Sequence, residues 1–110
     1  MNNNSQILKG ILEGCVLSII AEKETYGYEL LTRLKNSGFE DIVEGTLYPL
    51  LLRLEKNGLI VAEKKKSPTG IDRKYYTLSD DGYGELKSFI GYWKKLCVDV
   101  NNIIGGHRDE

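Results

Sequence analysis

Residues that usually build enzyme active sites and metal centres are scarce in this sequence. Among 110 residues there are one histidine, two cysteines and one tryptophan. The histidine, His107, lies in the last few residues. No Ser, His and Asp arrangement, no metal-ligand spacing and no phosphate-binding glycine loop occurs anywhere in the chain. The sequence therefore predicts a protein that is not an enzyme and that uses no metal or cofactor.

Long apolar runs are also missing. No stretch approaches the roughly 18 apolar residues that a membrane span requires, and the N-terminus lacks a basic segment followed by a cleavage site. We therefore expect a cytoplasmic protein that does not contact membranes. Cys15 and Cys97 lie far apart on apolar helical faces, which predicts buried free thiols.

Charge is unevenly distributed. The chain has 15 Lys and Arg against 16 Asp and Glu, a net charge of −1. Between residues 50 and 77, however, seven cations face three anions, and seven minus three leaves a local charge of +4. A local basic region can bind nucleic acid even when the whole protein is slightly acidic.

The residue pattern between positions 44 and 60 predicts a short helix followed directly by a strand. Gly45 or Thr46 can cap the helix, Pro49 is tolerated in a first turn, and Gly58 ends it. Four leucines at three- and four-residue spacing form a buried stripe. The opposite, exposed face carries Thr46, Tyr48, Pro49, Leu52, Arg53 and Lys56.

The remaining patterns predict three more helices and a β-hairpin. The first helix begins at Ser5 after a disordered leader, the second begins at Thr25 and stops near Gly38, and Ser79 caps the last. Strands over residues 60–66 and 73–78 enclose a turn that contains Pro and Gly. The expected fold is mainly α with a small β-hairpin: a winged helix-turn-helix with a long C-terminal helix.

The apolar spacing and the length of the last helix indicate a dimer. Its apolar residues step by four and three from Leu86 to Ile104, which is coiled-coil spacing. At 1.5 Å per residue it would be roughly 37 Å long, which is more than a core of radius of gyration about 13 Å can cover. We therefore expect a two-fold homodimer built from the first and last helices. The wide apolar face of the first helix fits either its own core or that interface.

These elements divide the chain into three predicted parts. Residues 1–78 would form the winged-helix DNA-binding domain, residues 79–105 the dimerisation helix, and residues 106–110 a disordered tail in which His107 is inert.

Three motifs in a fixed order resemble the PadR family of bacterial transcriptional regulators. They are TYGYEL at residues 25–30, GTLYPLLLRLEKNGLI at 45–60 and RKYYTLSDDG at 73–82, and the resemblance covers roughly residues 8–100. It implies a DNA-binding regulator, and the usual behaviour of the family implies a repressor.

The expected partner is double-stranded DNA with a pseudo-palindromic operator, because a two-fold dimer places two helices about 34–36 Å apart in successive major grooves. The short helix would read bases, and the basic hairpin would hold phosphates. For Tyr26 and Tyr28, packing is the alternative to a phosphate contact. The predicted DNA-binding residues are Tyr26, Tyr28, Thr46, Tyr48, Pro49, Arg53, Lys56, Lys64, Lys65, Lys66, Arg73 and Lys74.

Trp93 lies in the middle of the coiled-coil stripe. In the short branch of the PadR family, a multidrug-binding member sandwiches flat aromatic ligands between paired tryptophans at this place, so the resemblance implies a possible aromatic effector. The alternative is an ordinary interface side chain. The small residues nearby would either widen a cavity or let the helices close. The implied effector-binding residues are Trp93, Ile90, Cys97, Ile11, Gly14, Cys15 and Ser18.

Two other classes of function stay open from the residues alone. A winged-helix module can bind protein without binding DNA, and a dimer pocket can serve a small-molecule carrier or a promiscuous catalyst. Salt-sensitive binding to duplex DNA would favour a DNA-binding regulator over a protein-binding module. Coupling between ligand binding and DNA binding would favour a regulator over a carrier or catalyst.

Overall fold

In the computed structural model, which describes residues 3–106, the chain forms four helices and a three-stranded antiparallel sheet. The helices are α1 (Asn3–Glu22), α2 (Gly27–Asn36), α3 (Glu44–Lys56) and α4 (Asp80–Ile104), and the strands are β1 (Thr25–Tyr26), β2 (Ile60–Lys66) and β3 (Asp72–Leu78). This architecture confirms the predicted winged-helix class, in which β2 and β3 form the wing.

The start of α2 differs from the prediction. Thr25 does not cap the helix, because Thr25 and Tyr26 are extended and pair with Tyr76 and Tyr75 of β3. A β-branched residue and an aromatic one suit a strand, and the free edge of β3 supplies the hydrogen-bonding partner. The Thr25 hydroxyl instead donates to Glu29 Oε1 at 2.6 Å.

The helix starts elsewhere also need correction. Val43, not Gly45 or Thr46, is the N-cap of α3, so Pro49 lies in the second turn and not the first. Its ring is exposed and leaves one backbone carbonyl of the first turn without a helical partner. α1 begins at Asn3, two residues before the predicted start. The other predicted leader residues and the tail from His107 onward lie outside the described residues.

The predicted ends of α2 and α3 are confirmed. Gly38 has φ +126° and Gly58 has φ +75°, the left-handed conformation that glycine adopts without strain after a helix.

The sheet order is β1-β3-β2, so the central strand is the last of the three in sequence. Tyr76 is paired with Thr25 on one side and Ala62 on the other, and it is buried against the helices. Because side chains alternate along a strand, Tyr75 and Arg73 point to the opposite face. The sheet therefore has one face on the core and one face outside.

The core lies between α1, α2, α3 and the sheet. The predicted leucine stripe of α3 is buried: Leu47, Leu50, Leu51 and Leu54 are each at most 4% exposed. They pack with Leu12, Val16, Leu17 and Ile20 of α1, with Leu30, Leu31 and Leu34 of α2, and with Ile42, Ile60, Tyr76 and Leu86. Burial of this stripe fixes which face of α3 is left for solvent.

Ser79 joins α4 to the rest of the domain, and its predicted capping role is confirmed. Its hydroxyl accepts a hydrogen bond from Gly82 N at 3.0 Å and donates to Gly58 O at 2.6 Å. Its backbone N–H donates to Leu59 O at 3.1 Å. The start of α4 is thereby tied to the turn that follows α3.

Beyond its first two turns α4 leaves the core. Its apolar residues are largely exposed: Trp93 is 40%, Val100 42% and Ile104 53% accessible. The radius of gyration is 16.0 Å, against about 13 Å for a compact chain of this length. The division into domains at residue 78 stays a prediction.

None of the helices in residues 3–106 is long and apolar enough to cross a membrane.

Two glycines near the start of α4 allow a matched test of this packing. A Cβ at Gly82 would collide with the backbone carbonyl of Leu59, whereas a Cβ at Gly84 would meet open space. We expect Gly82→Ala to lower the free energy of unfolding by about 1–3 kcal/mol through overpacking. Gly84→Ala should raise it by up to about 1 kcal/mol because alanine favours the helix. Urea denaturation measures both, and equal effects would contradict the described junction.

Candidate nucleic-acid interface

The start of α2, the exposed face of α3 and strand β3 meet around a recess of about 490 Å³. This recess brings together residues from all three motifs singled out in the sequence. It is lined by Tyr26, Gly27, Tyr28, Tyr48, Leu52, Arg73, Lys74 and Tyr76. Aromatic rings, hydroxyl groups and two cations thus share one concave surface.

Gly27 allows the ring of Tyr48 to lie on the start of α2. A Cβ at position 27 would stand 2.6 Å from Tyr48 Cε1 and 2.7 Å from its hydroxyl oxygen, which is closer than real Cβ atoms approach. Only glycine fits at this position without displacing Tyr48. Sequence reasoning missed the role of Gly27, although its place between two tyrosines in the TYGYEL motif was visible.

Tyr26 packs on the outer face of the wing. Its ring meets Tyr75 edge to face at 5.4 Å, and the Arg73 guanidinium lies 4.3 Å from the ring centre. This cation–π contact orients Arg73. Tyr28, by contrast, is 64% exposed two residues further along, in the first turn of α2, where a helix start presents unpaired N–H groups. Packing therefore accounts for Tyr26 but not for Tyr28.

The exposed face of α3 has two edges. All six residues predicted on this face are exposed. Tyr48 and Leu52 border the recess, whereas Thr46, Pro49 and Arg53 line a groove against α1 and residues 38–42. Lys56 is exposed at the C-terminal end of the helix. The middle of the face carries small or apolar side chains, so its cations lie at its margins.

Three of the predicted DNA-binding cations are held by carboxylates of the same chain. Arg53 Nη2 lies 2.6 Å from Glu13, Lys74 Nζ 3.1 Å from Glu55, and Lys65 Nζ 2.7 Å from Glu24. The hydrogen bonds to Glu55 and Glu24 raise the pKa of Lys74 and of Lys65, respectively. Sequence reasoning missed these partners, since Glu13 and Glu24 are 40 and 41 residues from their cations.

The remaining cations of the wing lie toward its tip. Lys64 and Lys66 are exposed, and neither forms an ion pair within the described part of the chain. The tip is fixed by hydrogen bonds from Ser67 N to Ile71 O and from Gly70 N to Ser67 O, both 2.8 Å. A tight turn thus holds the end of the wing in one shape.

The residues implied in effector binding lie on α1 and α4. Ile90 and Trp93 are each 40% exposed, and Ile11, Ser18 and Cys97 are half-buried. Gly14 is buried beneath the Phe89 ring. The small residue at position 14 therefore lets α1 and α4 pack closely.

Cys15 and Cys97 are free thiols as predicted, but half-buried and not fully buried. Burial raises the pKa of the Cys15 thiol. Within residues 3–106 no group of three or more His, Cys, Asp or Glu side chains is placed to hold a metal ion.

Comparison with known proteins relates the chain to one family. The model of the Transcriptional regulator PadR-like family matches residues 16–88. An uncharacterized protein of Lysinibacillus sphaericus is 35% identical over 105 residues, which is 93% of this chain and 95% of the relative.

Solved structures extend the likeness to the fold. A Streptococcus transcriptional regulator is 49% identical with a TM-score of 0.84, covering 89% of this chain and 96% of its own. A PadR-like transcriptional regulator from Bacillus cereus is 47% identical with a TM-score of 0.85, covering 93% and 99%. Bacillus subtilis PadR in complex with operator DNA is 26% identical with a TM-score of 0.66, covering 73% of this chain and 45% of that protein.

The contact between Gly27 and Tyr48 gives a test of the recess. Gly27→Ala should displace the Tyr48 ring from the start of α2, and because that ring is 41% exposed and can move, the free energy of unfolding should change by no more than about 1 kcal/mol. In a Tyr48→Ala background the same change should be more favourable, since the ring is gone and alanine favours the helix. A double-mutant cycle by urea denaturation measures this coupling. Additive effects would contradict the described contact.

Proposed function

This chain belongs to the Transcriptional regulator PadR-like family, and from that premise we propose that it is a repressor: a homodimer that binds operator DNA through α3 and the wing. The family model spans residues 16–88, which include the whole candidate interface on α2, α3 and the wing. Regulation of transcription, and not catalysis, is accordingly the activity that the surface has to support.

The convergence of three elements on the recess carries the proposal. An exposed helix beside a basic β-hairpin is suited to place the helix in a major groove and the hairpin on the sugar–phosphate backbone. Tyr28, exposed at the start of α2, adds a hydroxyl and a helix N-terminus for a phosphate. The structure of Bacillus subtilis PadR is a complex with operator DNA, which supports operator DNA as the partner of this chain.

The proposed contacts separate into two groups. Thr46, Tyr48, Pro49 and Leu52 on the exposed face of α3 would meet base edges and thymine methyl groups, and so carry sequence preference. The cations at the margins and on the wing would meet phosphates and fix the register without reading sequence: Arg53, Lys56, Lys64, Lys65, Lys66, Arg73 and Lys74, with Tyr26 and Tyr28 beside them.

The exposed apolar stripe of α4 supports the proposed dimer. Ile90, Trp93, Val100 and Ile104 recur at heptad spacing, and each is at least 40% exposed. Pairing with a second copy would remove this surface from water and would relate the two copies of α3 by a two-fold axis. The operator would then be a pseudo-palindrome with half-sites about 34–36 Å apart.

The same interface is the proposed effector site. Two copies of Trp93 would face each other across the axis, and their rings would stack on a flat aromatic molecule. An effector held there would act on DNA binding by changing the angle between the two protomers, since both DNA-binding surfaces are joined to α4 through the Ser79 junction.

Lysines at the end of the wing test the DNA-binding proposal. Lys64→Ala with Lys66→Ala should weaken binding to all duplexes alike, because phosphate contacts carry no sequence information. The slope of log K against log salt should become shallower by about 0.9 for each lost phosphate contact. Fluorescence anisotropy with labelled duplexes between about 50 and 200 mM salt measures both quantities.

Leu52→Ala is the matched control on α3, and it should change the preference between duplex sequences and leave the salt slope unchanged. If the lysine pair altered sequence preference instead, the assignment of the wing to the phosphate backbone would be wrong.

Two valines on α4 test the dimer and its pocket together. Val100 lies on the heptad stripe and Val98 beside it, and they are 42% and 60% exposed. Val100→Asp should give a monomer of 12.4 kDa by light scattering at micromolar concentration, because it places a carboxylate in the interface. It should also abolish quenching of Trp93 fluorescence by planar dyes. Val98→Asp should remain a dimer of twice that mass, and a monomeric wild type would contradict the proposal.

A further inference from the structure

The candidate DNA-binding surface contains most of the ion pairs found among the described residues. Four of these six pairs involve a predicted DNA-binding cation: Arg53 with Glu13, Lys74 with Glu55, and Lys65 with both Glu24 and Glu63. The three cations are each 40–42% exposed, so they lie where solvent, or a phosphate, can reach them.

The carboxylates come to this surface from distant parts of the chain. Glu13 belongs to α1, Glu24 to the segment before β1 and Glu55 to the last turn of α3, and the hydrogen-bonded partners are separated by 40, 41 and 19 residues. The fold itself therefore brings each carboxylate to its cation. An exposed ion pair of this kind adds little to folding stability. Its main consequence is for the electrostatic field that DNA meets.

We propose that Glu13, Glu24 and Glu55 are internal counterions of the DNA-binding surface, which weaken its binding to DNA of any sequence by competing with phosphates for Arg53, Lys65 and Lys74. This proposal rests on the proposed function. A phosphate can use Arg53, Lys65 or Lys74 only by displacing a carboxylate. That displacement costs the free energy of the internal pair whatever the sequence of the duplex, so the carboxylates weaken the phosphate contacts, which carry no sequence information.

The expected size of the effect follows from the number of cations. Of the seven cations on α3 and the wing, three are paired, and seven minus three leaves Lys56, Lys64, Lys66 and Arg73. Binding to non-operator DNA should then depend on salt as a surface of about four phosphate contacts does, and each released cation should steepen the slope by up to about 0.9.

The pair formed by Glu55 and Lys74 is suited to a test. Both side chains are more than a third exposed, so neither change removes a buried group. With a mixed-sequence duplex, Glu55→Gln should tighten binding roughly two- to fivefold, the range that an exposed ion pair corresponds to. In a Lys74→Met background the same change should have no effect, because there is no cation to release. Fluorescence anisotropy at several salt concentrations measures all four proteins of the cycle.

Glu22 supplies the matched control. It pairs with Arg33 at 2.9 Å, and Arg33 is not among the predicted DNA contacts. The Glu22 side chain is 52% exposed, against 36% for Glu55, so its removal likewise leaves no buried group unpaired. Glu22→Gln removes the same charge from the protein and should leave duplex binding unchanged.

Two results would overturn the proposal while leaving the proposed function intact. One is an equal gain in duplex affinity from Glu55→Gln with and without Lys74. The other is a gain in affinity of the same size from Glu22→Gln. Either result would mean that the carboxylates act only through the total charge of the protein. Absence of salt-dependent duplex binding by the wild type would overturn the proposed function and this proposal with it.

Discussion

The pairing of β1 with β3 is the constraint on which the candidate interface depends. Only two residues of β1 are involved, yet they join the start of α2 to β3, which are two of the three elements around the recess. Thr25, 2% exposed, lies opposite Tyr76 on the core side, and Tyr26 lies opposite Tyr75 on the outer side. A register shift by one residue would exchange these faces. The pairing therefore ties the start of α2 to the wing and places Gly27 beneath Tyr48.

The positive charge of α3 and the wing is partly neutralised by nearby carboxylates. The local excess of cations on α3 and the wing is offset by carboxylates from α1 and from the segment before β1, in a protein whose net charge is −1. Such a surface does not attract DNA by bulk charge alone. If the surface binds DNA as we propose, binding would depend on how well the helix and wing fit a particular duplex.

Much of the fold could be predicted because local rules determine it. The leucine spacing of α3, the glycine after it and the Ser79 cap are each readable within one or two helical turns, and the length of α4 follows from its apolar repeat. The structure agrees at all of these positions.

What could not be predicted depends on tertiary contacts. β1 exists only because β3 lies beside it, so Thr25 has the local pattern of a helix cap and is in fact a strand residue. The ring of Phe89 over Gly14 and the carboxylate partners of Arg53 and Lys65 likewise join distant segments. The contacts within the recess could therefore not be predicted, whereas five of the predicted DNA-binding residues do border it: Tyr26, Tyr28, Tyr48, Arg73 and Lys74. Their role in DNA binding stays a prediction.

The central claim is that this surface recognises a particular DNA sequence. The most direct measurement is fluorescence anisotropy of a labelled duplex taken from upstream of the protein's own gene, titrated beside a scrambled duplex at about 50 and 200 mM salt. We expect tighter binding to the upstream duplex at both salt concentrations and weaker binding of both duplexes at the higher one. Equal or negligible binding to the two duplexes would contradict it and would favour a winged-helix module that binds protein.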